Sequence, residues 1–198
     1  MSKTRFWRVR EKAALKRLGG LLLIGLVAAS AVIVSGCSSS SRPGQTVKIS
    51  ASWAVTYHDL KSLKQGSDIA AVGSISEVAN VTREGPGRGD VTTDFVFSIS
   101  KVILDPGQRV KGSSLTIHQV GGVMGDTLYE VEDDPLFQVG EHLILFLHEY
   151  SPGHYYVAGG PTGRFEIRNN MVTPVNDEGV KFSAPMTEAD FIAAIQSA

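Results

Sequence analysis

The only cysteine of the chain, Cys37, is the residue whose chemistry is easiest to define. It lies between the uncharged stretch VIVSG and a run of four serines. A lone thiol cannot form a disulfide within the chain, and none of the local patterns typical of a catalytic cysteine surrounds it. We therefore expect Cys37 to be a site of covalent modification rather than of catalysis.

The residues before Cys37 have the parts of a secretory signal. The first twenty residues carry seven Lys or Arg against one acid, and residues 21–36 carry no charge. Sixteen helical residues would span only ~24 Å, which is short of the ~30 Å hydrocarbon core of a bilayer. A basic start, an apolar run and small residues before a cleavage site are typical of a signal peptide. We predict a signal peptide over residues 1–36, with an uncleaved transmembrane anchor as the alternative.

The residues Val34-Ser35-Gly36-Cys37 resemble the lipobox of bacterial lipoproteins, in which an aliphatic residue and two small residues precede the cysteine. The resemblance implies cleavage between Gly36 and Cys37 and attachment of a diacylglyceryl group, with further palmitate-type acylation, at Cys37. Two or more acyl chains anchor a protein stably, whereas one chain binds reversibly. It thus implies a lipid-anchored protein on the extracytoplasmic face of the cell membrane or outer membrane. The alternative is a chance cysteine behind an ordinary signal peptide.

The charge of the remaining chain limits the classes of partner. After residue 20 there are 12 Lys or Arg and 19 Asp or Glu, a formal net charge of −7. Nucleic-acid phosphates require a basic surface, and so does adsorption to anionic lipid through side chains. We therefore expect no nucleic-acid partner. The expected partners are the membrane, through the lipid on Cys37, and an extracytoplasmic protein or ligand of unknown kind.

The mature chain divides into a tether and one folded domain. Residues 37–46 combine the lipidated cysteine with a Ser-, Gly- and Pro-containing flexible segment. Residues 47–198 are long enough to build one hydrophobic core, and without further cysteines that core receives no help from disulfides.

Alternating and continuous apolar patterns predict six or seven short strands in this domain. Residues 47–57 form a first strand or an extended lead-in, and Gly73 inside the next strand indicates a bulge. The run at 141–150 predicts a central strand buried on both faces. The other predicted strands are at 68–80, 91–104 and 113–120, with an RNN hairpin near 164–175 whose asparagines suit positive φ angles, and an irregular loop at 121–135. The predicted helices are at 58–66, ending at Gly66, and at 187–198, with Thr187 as N-cap and an apolar stripe of Phe191, Ile192 and Ile195.

The order of turns from Ser67 to about Val175 is similar to that of a widespread group of bacterial secreted proteins laid out like the netrin-like, OB-type β-barrel. The shared features are Gly73-Ser74-Ile75, Lys111-Gly112 and Val139-Gly140-Glu141. The resemblance implies a mainly β fold: a small OB-like barrel with a short N-terminal helix and a C-terminal helix. Metalloprotease inhibitors of that fold use a free N-terminal cysteine and many disulfides, so their mechanism is not implied here.

The five histidines and the acidic residues are the remaining chemical candidates. No histidine pair has the H-x₃₋₅-H spacing of a zinc site, and His142 and His148 lie ~20 Å apart on one strand. We expect surface or satisfied histidines, and no metal or cofactor. The loop at 121–135 carries a possible acidic surface of five residues, Asp126, Glu130, Glu132, Asp133 and Asp134, for which calcium binding is the alternative to a solvated surface.

These observations leave two hypotheses about function. The first is a binding or structural module of the cell envelope without catalytic activity. The alternative is an envelope hydrolase or an inhibitor of a secreted enzyme. A pocket in which Asp126, Glu130 and His118 converge would favour the alternative.

Overall fold

The computed structural model describes residues 43–83 and 90–198. The predicted signal peptide and lipobox, including Gly36 and Cys37, lie outside these ranges. Within them, no helix has the length and apolar character needed to cross a membrane.

The described residues form eleven strands, two α-helices and one 3₁₀ turn. In chain order they are β1 (Gln45–Ile49), α1 (Leu60–Gln65), β2 (Ile69–Arg83), β3 (Val91–Leu104), β4 (Ser114–Val120), β5 (Gly122–Met124), β6 (Thr127–Val131), β7 (His142–Ser151), β8 (His154–Val157), the 3₁₀ turn (Gly160–Gly163), β9 (Arg164–Arg168), β10 (Met171–Pro174), β11 (Met186–Thr187) and α2 (Glu188–Ser197).

Five of these strands close into a barrel in the order β7, β2, β3, β4, β8, with β8 pairing back onto β7. Neighbours are antiparallel except for β4 and β8, which are parallel. On the edge of β7 opposite β2, strand β9 pairs beside β8, and β10 and β11 extend the sheet from β9 beyond the barrel. The predicted mainly β fold, a small barrel with a short N-terminal helix and a C-terminal helix, is confirmed.

Gly73 allows β2 and β3 to approach closely at a bend. The pairing register shifts between Val72 and Gly73. A Cβ atom at Gly73 would lie 2.7 Å from Cζ of Phe97 and would overlap the carbonyl of Ser98. Since a larger residue would push the strands apart, glycine is required for the curvature that closes the barrel. The predicted bulge is confirmed.

The hydrophobic core lies on both sides of β7. Leu145 points into the barrel, whereas Phe146 points outwards, beneath the helices. Both side chains are completely buried. The prediction of a strand buried on both faces is therefore confirmed. The barrel interior also contains Phe95, Phe97, Leu115, Ile117, Phe137 and Tyr155, while Leu63, Phe165, Phe191 and Ile195 belong to the outer part.

The C-terminal helix α2 begins as predicted. The hydroxyl of Thr187 accepts a hydrogen bond from the backbone N–H of Asp190 at 3.2 Å, which satisfies one free donor of the first turn. Its predicted apolar stripe, Phe191, Ile192 and Ile195, is buried against the outer core.

Two further local predictions are confirmed. In the turn between β9 and β10, Asn169 and Asn170 have φ angles of 51° and 64°, a region that asparagine tolerates better than most residues. Helix α1 is capped by Asp59, whose carboxylate accepts from the N–H of Ser62 at 2.8 Å, and it ends before Gly66.

The prediction for residues 121–135 is wrong, because this segment is not an irregular loop. Strands β5 and β6 form an antiparallel hairpin, and β6 also pairs in parallel with β1. In addition, β1 starts at Gln45, inside the predicted tether, and ends at Ile49, so residues 50–59 lie outside regular strands. The partners Gln45 and Thr127 are 82 positions apart, and local patterns carry no information about such a pairing.

Candidate functional site

A groove of about 690 Å³ lies over the outer face of β4, β8 and β7. Residues 53–57, which connect β1 to α1, form a further wall of this groove. Most of its prominent side chains carry rings, so we call it the aromatic groove. The ring-bearing residues that define it are Trp53, Tyr57, His118, His148, Tyr150 and Tyr156.

Three of these rings lie in a row across neighbouring strands. His148 is the direct partner of Tyr156, and their ring centroids are 5.2 Å apart. The pairing of Ile117 with Tyr155 places the next residues, His118 and Tyr156, beside each other. Because successive side chains of a strand point to opposite faces, Ile117 and Tyr155 fill the barrel while the row of three points outwards.

Tyr150 lies beside this row because it is two residues after His148 on β7 and so belongs to the same face of the strand. The register between β7 and β8 shifts between Glu149 and Ser151. The Tyr150 ring lies 5.7 Å from that of His118 and 6.2 Å from that of Tyr156. Tyr150 and Tyr156 are 50 % and 41 % exposed. Their ring surfaces are therefore accessible to a ligand and are not used by the core.

Two consecutive glycines provide the space for the rings of Trp53 and Tyr57. Gly159 and Gly160 have φ angles of +68° and +57°. A Cβ atom at Gly159 would lie 2.7 Å from Cδ2 of Tyr57, and one at Gly160 would overlap the indole of Trp53. Only glycine combines this backbone conformation with this space. The chain segment 53–57 is therefore held against the barrel at a defined position.

Each groove histidine is oriented by an aspartate. Nδ1 of His118 lies 2.7 Å from Oδ1 of Asp94, and Nδ1 of His148 lies 2.9 Å from Oδ2 of Asp68. The interpretation of these two residues as histidines with protein partners is confirmed. No group of three or more His, Cys, Asp or Glu side chains in the described ranges is arranged to hold a metal ion.

A charged network supports the β7–β8 side of the groove. Arg109 donates to Oε2 of Glu149 at 2.5 Å and to Oδ1 of Asp68 at 3.0 Å. The backbone N–H of Gly153 and the Arg109 guanidinium hold the pKa of Glu149 below its ordinary value. Glu149 also accepts a hydrogen bond from the hydroxyl of the buried Tyr155 at 3.2 Å. These contacts fix the turn that carries Tyr150.

Another wall residue of the groove is the buried carboxyl of Asp134. This residue is 7 % exposed, and burial raises its pKa. Its nearest cation, Nη1 of Arg164, is 3.8 Å away, whereas Nη2 of Arg164 donates to Glu141 at 2.8 Å. Arg164 is only 2 % exposed, its guanidinium stacks 4.1 Å from the ring centroid of Phe137, and burial lowers its pKa. Glu141 is thus its main partner, and Asp134 depends on the more distant guanidinium and on a hydrogen bond from the Gln119 side chain.

The acidic residues of 121–135 do not form one exposed loop, which corrects the sequence prediction. Asp126 accepts a hydrogen bond from the N–H of Gly44 at 2.8 Å, and Glu130 forms an ion pair with Lys48 at 2.6 Å. Both contacts join the β5–β6 hairpin to β1. Neither carboxylate lines the aromatic groove with His118, so the convergence that would favour a hydrolase is not present.

The other three acids of that prediction also separate. Asp134 is buried, whereas Glu132 and Asp133 are exposed. These two line a second groove of about 500 Å³ that also contains Asp177 and Glu178. The five predicted residues therefore belong to a hairpin, a second groove and the wall of the aromatic groove.

The sequence predictions did not identify the aromatic groove. Trp53 and Tyr57 were part of a predicted strand, and the buried Arg164 gave no signal in the stretch GRFEI. One signal was present: Tyr150 and Tyr156 flank a tight turn in which large rings have no core to fill. No protein-family model matches the chain, and no curated protein matches it. Its function therefore has to follow from the chemistry of the site.

Proposed function

We propose that this chain is a lipid-anchored binding module of the bacterial cell envelope, held on the extracytoplasmic face of the cell membrane or outer membrane through Cys37. Its task is to capture a ligand rather than to transform one. The observation that carries the proposal is the aromatic groove, because the rings on its walls are accessible and well positioned.

The dimensions and the exposure of the groove support binding. Its volume of about 690 Å³ falls within the range of roughly 300–1,000 Å³ that is usual for small-molecule sites. Tyr150 and Tyr156 leave about half of their surface in water, although aromatic side chains are most stable when buried. The rings stand on paired strands of a closed barrel, so the site is formed before the ligand arrives.

The proposed anchor would keep the groove close to the envelope. Eight peptide units separate Cys37 from Gln45, the first residue of β1. A fully extended chain of this length reaches roughly 27 Å. The domain would therefore sample ligands within a few nanometres of the membrane surface.

A second candidate function is an envelope hydrolase, and the two His–Asp pairs favour it. A histidine oriented by a carboxylate is the usual general base of hydrolytic sites. His118 and His148 both line the groove and both have such a partner. If the chain is a hydrolase, the molecule that it binds should be recovered in cleaved form. If the chain is a binding module, the same molecule should be recovered intact.

The anchor is tested by replacing Cys37 with Ala. The Cys37→Ala chain is expected to lose metabolic palmitate labelling and to leave the membrane fraction, because the thiol is the proposed acylation site. The matched control Ser38→Ala keeps the thiol and should retain both the label and the location. Continued labelling of Cys37→Ala would contradict the anchor.

The groove is tested by affinity capture from the protein's own envelope, followed by mass spectrometry of the bound molecules. A ligand enriched by the wild-type chain should be lost with the double variant Tyr150→Ala/Tyr156→Ala. The control Val123→Ala/Val139→Ala removes two exposed side chains outside the groove and should retain it. Equal recovery with all three chains would show that the groove is not the binding site.

A further inference from the structure

The charges around the aromatic groove are unbalanced. In the described part of the chain, neither Lys nor Arg lines the groove, whereas Asp134 does. Two more carboxylates, Asp94 and Asp68, lie directly behind its histidines at 2.7 Å and 2.9 Å, and Asp68 also pairs with Arg109 at 3.0 Å. The folded domain as a whole also carries more acids than bases. Among the lining residues an anionic ligand would meet Asp134 and no cationic side chain, so the lining favours a cation.

The rings of the groove add a second attraction for a cation. The faces of Trp and Tyr carry negative potential, so an ammonium group within about 6 Å of a ring centroid is stabilised. Tyr150 and Tyr156 lie 6.2 Å apart with an interplanar angle of 33°, and both faces are partly exposed. Trp53 and Tyr57 provide ring surface from the segment 53–57. An apolar ligand body can therefore contact rings on more than one wall.

The carboxyl of Asp134 provides a specific contact for a cation. Its nearest guanidinium, that of Arg164, is 3.8 Å away and is engaged by Glu141 at 2.8 Å. The side chain of Gln119 also hydrogen-bonds this carboxyl. An ammonium group of the ligand would add charge compensation to Asp134, which a purely apolar molecule could not do.

We propose that the ligand of the aromatic groove is an organic ammonium cation, an amine with an apolar body, whose charge is held by the tyrosine faces and the carboxylate of Asp134. This inference rests on the proposed function, since it names the ligand class of the same site. The proposal excludes anionic ligands. It also distinguishes this groove from a saccharide-binding groove, in which rings stack on neutral sugars and polar groups contact their hydroxyls.

The test uses three probes of different chemistry. Cyclohexylmethylamine is protonated at neutral pH, cyclohexylmethanol is its neutral counterpart of nearly equal size, and chitobiose represents a neutral saccharide. The full chain is used in non-ionic detergent with Trp7→Phe, so that Trp53 is the only tryptophan and its emission reports on the groove. Isothermal titration calorimetry provides the second readout.

We expect the amine to bind about tenfold more tightly than the alcohol, and its affinity to fall as the salt concentration rises. Tyr156→Leu should weaken this preference because it removes one of the two tyrosine faces, while the matched variant Tyr156→Phe, which keeps the ring, should retain it. Tyr156 is 41 % exposed, so both variants should fold.

Any other result contradicts the proposal of a cationic ligand, and its consequence for the proposed binding module depends on which probes bind. Equal binding of amine and alcohol leaves a binding groove without charge selection. Binding of chitobiose alone assigns a saccharide instead. If no probe binds at millimolar concentration, the amine class is wrong, and the capture experiment with the Tyr150→Ala/Tyr156→Ala chain decides separately whether the groove binds anything.

Discussion

The glycine beneath Trp53 provides a sharp test of how the groove is built. Gly160 has a φ angle of +57° and is buried, and a Cβ atom there would overlap the indole of Trp53. Gly153, in the turn between β7 and β8, has a φ angle of +79° but no heavy atom within 4 Å of its virtual Cβ. Replacing each with Ala therefore imposes similar backbone strain, and only Gly160→Ala displaces a ring.

The expected magnitudes follow from these two environments. An alanine in the left-handed region costs roughly 1–2 kcal/mol, which is the whole expected loss for Gly153→Ala. Trp53 is partly buried, and losing ~100 Å² of its contact at ~25 cal/mol per Å² costs about 2.5 kcal/mol more. Gly160→Ala should therefore lower the free energy of unfolding by about 3.5–4.5 kcal/mol in total.

The assay is urea unfolding of chains that carry Trp7→Phe, followed by circular dichroism and by Trp53 emission. In Gly160→Ala the native emission should shift to longer wavelength because the indole moves into water, whereas in Gly153→Ala it should stay unchanged. Equal losses of stability in the two variants, together with unshifted emission, would refute the inference that Gly160 provides the space for the Trp53 ring.

Two further predictions concern buried ionisable groups. Burial raises the pKa of Tyr155 to about 12 from 10.0. Because the folded state holds this proton more tightly than the unfolded state does, protonated Tyr155 contributes about 2–3 kcal/mol to the free energy of unfolding. This contribution is complete below pH ~10 and is lost as the pH rises through ~12. Urea unfolding of Tyr155→Phe should therefore show a smaller loss between these pH values than the wild type or the exposed-ring control Tyr156→Phe, and an unchanged loss would contradict the assignment. Glu141→Gln leaves the buried Arg164 with Asp134, 3.8 Å away, as its nearest carboxylate, and should lower the free energy of unfolding by about 3–5 kcal/mol. Glu166→Gln, whose partner arginine is exposed, should lower it by less than about 1 kcal/mol. Similar losses would show that the buried pair has no special role.

Local patterns in the sequence were sufficient where the structure depends on neighbours along the chain. Strand β3 begins and ends at the predicted residues, 91 and 104, because Phe95, Phe97 and Ile99 recur at every second position between turn-forming segments. The cap of α2 at Thr187 and the two asparagines of the β9–β10 turn are local in the same sense. The lipobox at Cys37 is equally local, and it stays a prediction.

The candidate site could not be predicted in this way, because its rings come from three separate parts of the sequence. His118, on β4, meets Tyr156 only because β4 and β8 pair in parallel, and His148 joins them only through the pairing of β7 with β8. In the sequence none of these rings is marked by its neighbours along the chain. The same limit contributes to the wrong prediction for 121–135, whose strand β6 pairs with a segment 82 positions away.

The sequence by itself determined the mainly β class, the positions of the longest strands and the acidic character of the domain, and it predicts lipid attachment at Cys37. These properties depend on composition, on side-chain period and on short motifs, all of which are local. The tertiary structure alone decided that four aromatic side chains and two histidines face one groove, and that Arg164 and Asp134 are buried beside each other. Such groupings arise when the barrel closes, because closure brings distant residues to one surface and removes water from charges that the sequence shows as ordinary.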